Sequence, residues 1–231
     1  MRWRQYKIAR ERMVREHVYA RGIREPRVIE AMLRVPRHLF IGRDAGVEAY
    51  ADHSYPIGFR QTMSQPYMVA YLTEQLRLDG DERVLEIGTG SGYHAAVLAN
   101  VCREVCTIER VPELAEHARA LLRDLLISNV TVRNGDGSRG WTDGPAFDRV
   151  LLTAAARHIP RALLAQVADG GFLLGPVMRT DKKQEIVRLT RRGGRFDVER
   201  LIACSFVPLV RDARRPRRSV TNAGELSESR A

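Results

Sequence analysis

Two hydroxyls and three carboxylates stand in this chain at spacings that chemistry can use. Thr62 and Ser64 lie in the run PIGFRQTMSQPYMVA at residues 56–70, just ahead of a helical apolar pattern. Glu86, Glu109 and Asp136 fall at or just after the ends of three successive short apolar runs. Shortly after Glu86 comes G-T-G-S-G, in which Gly88, Gly90 and Gly92 alternate with Thr89 and Ser91. Glycine there permits a tight bend and lets a ligand meet the main chain with no Cβ between them. Glu109 follows Gly88 by 21 residues, where a carboxylate can accept both hydroxyls of a ribose. Asp136 and Gly137 offer a short acidic turn to an adenine amino group, and Glu86 offers a carboxylate to an ammonium group. Singly, each acid reads equally well as a solvated loop charge. Together, at consecutive strand ends, they form a cofactor cradle. The residue three after Gly90 is Tyr93, so the pyrophosphate fingerprint fails, and no Gly-Lys-Ser/Thr ending marks a P-loop.

The hydroxyl pair calls for an anion. The spacing predicts a helix over 65–76 with Ser64 as N-cap, where unpaired backbone N–H groups and the helix dipole attract negative charge. A carboxylate docked there would be oriented by Ser64 and Thr62. The plainer reading is that Ser64 only caps the helix. His38, His53 and His94 read as structural residues, and Trp141 and Tyr67 as packing or cleft-lining groups.

The elements that must position these groups alternate. Strands are expected at 83–87, 105–109, 130–133, 147–153 and 171–175, with helices at 92–100, 112–125 and from Pro160 between them. That order specifies parallel βαβ units in an α/β, doubly wound, mostly parallel sheet. Two strand-like runs around Gly193-Gly194 predict an antiparallel edge hairpin, whose end at Ser205-Phe206-Val207 can pair with an extended peptide. Upstream, helices are expected at 4–21 and 26–34, then an irregular segment at 41–63. Residues 1–82 are read as an N-terminal helical cap and substrate segment of the same domain, 83–210 as the core, and 211–231 as a flexible tail.

Composition bounds the rest. The 231 residues carry a net charge of +10, with six arginines against three acids from Arg211 onward. The charge is otherwise diffuse and points only weakly to nucleic acid. Three cysteines without a CxxC form neither a disulfide framework nor a zinc site, and Cys106 and Cys204 read as small core residues. No apolar run is long enough to span a membrane and no secretory signal is evident, so a cytoplasmic protein is expected; a monomer is taken as the working form, with no metal assigned.

Several segments, in collinear order over roughly residues 8–210, resemble the protein-L-isoaspartate (D-aspartate) O-methyltransferase family. They are RERMVREHVYARGI at 10–23, RVPRHLF at 34–40, the 56–70 run, RVLEIGTGSGYHAAVLA at 83–99, the GDG at 135–137 with Trp141, and FVPL at 206–209. The resemblance implies a Rossmann-like fold and S-adenosyl-L-methionine as cofactor. Its methyl would go to the α-carboxylate of L-isoaspartyl (and D-aspartyl) residues in damaged proteins, whose ester then closes to a succinimide. By position, Ser64 matches the family's active-site serine and Thr62 its companion. Gly88, Thr89, Gly90, Glu109, Asp136 and Gly137 match cofactor contacts. Arg60 and Met63 stand where glycine and isoleucine are usual, and Leu126-Ile127 where a glycine turn is typical. A carboxylate of pKa about 3.3–3.7 is already ionised at neutral pH, so alignment rather than base catalysis would set the barrier. The alternatives are a specialised aspartate-methylating relative acting on one peptide, an RNA or small-molecule methyltransferase, and a cofactor-binding adaptor without turnover.

Overall fold

The computed structural model describes residues 2–42, 45–181 and 183–210, and the segment read as a tail, 211–231, lies outside them. Helix α1 (Arg2–Met13) continues as a π-helical turn over Val14–Val18 and a 3-10 turn over Tyr19–Arg21. One helix was expected over 4–21. The change of winding keeps Met13, Val14 and Val18 all against the core. Helix α2 (Pro26–Arg34) matches its expected bounds, with Pro26 in the first turn and Val28, Ala31 and Met32 buried.

A 3-10 turn over Arg37–Phe40 precedes the irregular segment, which itself contains a second one, Gly46–Tyr50, and a two-residue ladder. In that ladder β1 (Tyr55–Pro56) pairs antiparallel with β2 (Thr62–Met63). The turn between them holds Phe59 at φ 51 and Arg60 at φ 58, so the arginine in the usual glycine position keeps the left-handed backbone. Leu126, at the other departure, does the same at φ 57.

Helix α3 spans Pro66–Gln75, and its N-cap is Gln65, without a side-chain capping bond. This corrects the expected start. Pro66 supplies a preset φ and no N–H at the first helical position, which moves the cap one residue past Ser64. The hydroxyl of Ser64 is therefore left for another use.

The core follows as β3 (Arg83–Ile87), α4 (Tyr93–Leu98), β4 (Glu104–Glu109), α5 (Pro112–Asp124) and β5 (Val130–Asn134). Then come β6 (Phe147–Leu152), the short α6 (Arg161–Ala165), β7 (Val167–Met178), β8 (Gln184–Arg192) and β9 (Arg195–Cys204). The seven strands are ordered β5-β4-β3-β6-β7-β8-β9, parallel from β5 to β7 and antiparallel beyond. All five residues of β3 are buried, as a central strand covered on both faces requires. Chain progression reverses between β3 and β6, which leaves a crevice beyond their carboxyl ends. Strand β7 runs well past the expected 171–175, because the β8 hairpin pairs with it from Phe172 to Met178.

Candidate active site

The glycine bend sits directly in that crevice. Gly88 adopts φ 103 and its N–H donates to the Ile108 carbonyl at 2.9 Å, which ties the loop to the neighbouring strand β4. Glu109, at the end of β4, accepts from the Gly90 N–H at 2.8 Å and from the Val111 N–H at 2.9 Å. One carboxylate thus holds the bend and the start of α5 together. Asp136 accepts from the Ser138 N–H at 2.9 Å and caps the turn Gly137–Arg139. A Cβ on Gly137 would lie 2.5 Å from Ile87 Cγ2, so only glycine brings this turn against β3.

Gly88, Gly90, Glu109, Gly137, Ile108, Arg110 and Val111 line a narrow crevice. The side chains of Thr89 and Ser91 are instead buried, and Gly92 packs 3.2 Å (as an added Cβ) from the Ala118 Cβ. These three shape the bend from below. Asp136 itself does not line the crevice, although Gly137 does.

Glu86 requires a correction. Its side chain is fully buried and presents no carboxylate to the crevice. Thr107 Oγ1 donates to Glu86 Oε2 at 2.6 Å and in turn lies 2.6 Å from Thr89 Oγ1, so the acid braces the bend from beneath. Among the described residues Glu86 Oε1 has no hydrogen-bond partner, and His94 Nδ1 lies 3.9 Å from it. That distance suits an ion pair, yet burial drives both groups neutral. Desolvation pushes the Glu86 carboxyl up to about 8, against a small opposing pull from Thr107, and pushes His94 down to about 3. His94 Nε2 lies 3.1 Å from Thr73 Oγ1, whose hydroxyl donates to the Val69 carbonyl, so this imidazole is a structural residue. His38 is too, stacked 3.9 Å from Tyr6 and bonded to the Tyr50 hydroxyl at 2.7 Å.

A stability prediction arises from this pair. Between about pH 4.5 and 8 an unfolded chain releases the Glu86 proton that the folded chain keeps, so stability falls as pH rises. His94 acts oppositely below about pH 6.5, where the unfolded chain gains a proton that the folded chain refuses. The two slopes oppose each other up to about 6.5, and above it Glu86 stands alone. Urea denaturation of the wild type should lose on the order of 1 kcal/mol per pH unit from 6.5 to 8. Glu86→Gln should remove that loss and be the more stable protein at pH 8. Identical pH slopes for the two proteins would show that Glu86 is ionised when folded.

Beside the crevice opens a larger cleft of about 670 Å³, lined by Ser64, Thr62, Gln65, Tyr67, Met68 and Arg21 on one side and by Ile202–Val207 on the other. The two recesses share Thr62, Thr153 and Val207. Ser64 is half-buried and Thr62 is exposed, and neither hydroxyl has a hydrogen bond among the described residues. Cys204 is half-buried, packed against the core and also lining the cleft wall, and burial pushes its thiol up to about 12. The expected peptide edge at Ser205-Phe206-Val207 is partly occupied. Gln184 takes both the Phe206 N–H (2.7 Å) and its carbonyl (3.1 Å), and Ala155 N–H donates to Val207 O at 2.8 Å.

Sequence reading missed Thr153 and Arg21. Thr153 follows β6 at the same level as Gly88 after β3, so the rule that ligands gather beyond parallel strand ends would have found it. Arg21 carries no such signal. Its guanidinium lies 3.6 Å over the Tyr67 ring and 2.7 Å from Asp52 Oδ2, a meeting of three distant segments. It is the charged side chain on the cleft wall among the described lining residues.

Comparison with known proteins supplies the family and the fold. Residues 9–214 match the family model described as protein-L-isoaspartate(D-aspartate) O-methyltransferase. A protein-L-isoaspartate O-methyltransferase of Trichlorobacter lovleyi is 47% identical over 206 residues, 89% of this chain and 94% of its own. One from Rhodopseudomonas palustris is 50% identical over 204 residues, covering 88% and 83%. Among solved structures, one from Plasmodium falciparum in complex with S-adenosyl-L-homocysteine superposes with a TM-score of 0.76 at 24% identity, covering 87% of this chain and 98% of that one, and so shares the fold. The chain belongs to the protein-L-isoaspartate(D-aspartate) O-methyltransferase family.

Proposed function

We propose that this protein methylates the α-carboxylate of L-isoaspartyl, and D-aspartyl, residues in damaged proteins and so starts their repair through a succinimide. S-adenosyl-L-methionine is the cofactor, and it supplies an electrophilic methyl on a sulfonium. The residues present fit it: Gly88 and Gly90 leave bare main chain, and Glu109 offers carboxylate oxygens at the crevice wall. The observation that carries the reading is the shared wall. Thr62, Thr153 and Val207 line both recesses, so an acceptor in the larger cleft opens onto the glycine crevice.

The chain's own residues then do positional work. Ser64 and Thr62 have hydroxyl protons to give, and a carboxylate oxygen can accept from both. Glu109 and the Glu86–Thr107–Thr89 brace hold the bend still, so that alignment is set before the acceptor arrives. The segment Ile202–Val207 and Tyr67 bound the space that the acceptor would occupy. Arg21, its charge paired with Asp52, holds the Tyr67 ring in place on the cleft wall. Among the described residues no helix is long and apolar enough to cross a membrane. The working form we propose is a cytoplasmic monomer.

The test is methyl transfer from labelled S-adenosylmethionine to three acceptors: an isoaspartyl peptide, its aspartyl twin and bulk RNA. Labelling of the isoaspartyl peptide alone is expected. Preferential labelling of RNA, or equal labelling of both peptides, would remove this reading.

A further inference from the structure

We propose that Thr153 is a positioning residue for the donor side of the transfer, a hydrogen-bond acceptor for the polarised C–H groups of a sulfonium methyl. The inference rests on the methyl-transfer reading above.

Its basis is the state of one proton. Ile87 and Leu152 are paired in adjacent parallel strands, so the residues that follow them, Gly88 and Thr153, meet at the mouth of the crevice. Thr153 Oγ1 lies 2.9 Å from the Ile87 carbonyl and 2.7 Å from the Gly88 carbonyl. Both neighbours can only accept, so the hydroxyl proton is committed to them. Toward the junction Thr153 therefore offers lone pairs alone. Thr62 and Ser64 are the opposite case, with hydroxyls that have no hydrogen bond among the described residues and remain able to donate.

The two sides of the junction are thus chemically distinct. A carboxylate carries no proton and gains nothing from the Thr153 oxygen, which would repel it toward Ser64 and Thr62. A group with positively polarised hydrogens gains from Thr153. Carbon-bound hydrogens next to a sulfonium are such a group, and C–H···O contacts of this kind are weak but directional. Once the methyl has left, the neutral thioether lacks that polarisation. Thr153 should therefore discriminate between the methylated cofactor and its product. A brace that only held the bend would support both equally.

The experiment is titration calorimetry of the full chain with S-adenosylmethionine and with S-adenosylhomocysteine, for wild type, Thr153→Ser and Thr153→Val. Thr153→Val should weaken the methylated cofactor relative to the product by about two- to fivefold. Thr153→Ser should keep the wild-type ratio. Thr153→Ala repeats the comparison with space instead of bulk, should valine crowd the bend. Equal weakening of both ligands in Thr153→Val and Thr153→Ala would overturn the proposal and leave a structural brace. A ratio unchanged alongside a raised peptide KM would overturn it too, by assigning the oxygen to a peptide N–H. A wild type that discriminates between the ligands but transfers no methyl to isoaspartyl peptide would sink the functional reading and leave the Thr153 result standing.

Discussion

Gly88→Ala is expected to lower affinity for S-adenosylmethionine by on the order of 100-fold, and turnover with it. Two independent obstacles meet at this position. The backbone holds φ 103, a region that costs a residue with a Cβ about 1–2 kcal/mol. The added Cβ would also overlap Thr153 Oγ1, the atom bonded to the carbonyls of Ile87 and Gly88. The bend must shift, and with it the Gly90 N–H that Glu109 holds. Calorimetric titration of the cofactor, with circular dichroism to confirm the fold, checks this. The double variant Gly88→Ala/Thr153→Ala relieves the overlap but not the φ, so it should recover only part of the loss. Wild-type affinity in Gly88→Ala would mean that the bend is not the floor of the cofactor site.

Ser64→Ala should cut kcat by about 10²-fold, the size of loss expected when a reacting oxygen is no longer held in line with the methyl. Melting temperature should not move. The structure sharpens this expectation, because Ser64 does not cap α3: Gln65 holds that position, and the capping loss of about 1 kcal/mol does not apply. A fall in turnover with an unchanged unfolding midpoint is therefore the signature of substrate alignment. Full turnover would leave Ser64 as a bystander on the cleft wall. Thr62→Val should show a smaller loss in the same direction, since its hydroxyl is the more exposed of the two.

Much of this arrangement was legible because it is local. The alternation of short apolar runs with helical ones placed β3, β4 and β5 within a residue of their observed ends. Three acids at strand ends were correctly located along the chain, and their side chains then diverged. Glu109 reaches the crevice, Asp136 turns back to cap Ser138, and Glu86 points into the core. A period of two tells which face of a strand a residue occupies, but both faces of β3 are covered, so the pattern could not say which one looks onto ligand.

Sequence by itself determined the family, the parallel sheet and the glycine bend, because strand and helix periods, turn residues and the 56–70 run are written in neighbouring positions. Tertiary structure alone decided that Glu86 is a neutral brace, that Ser64 is released from capping, that Thr153 stands at the junction and that Arg21 stands on the wall of the larger cleft. Those facts depend on which segments, dozens of residues apart, are pressed together. Burial sets the proton on Glu86, and the register of β3 against β6 sets the proton on Thr153.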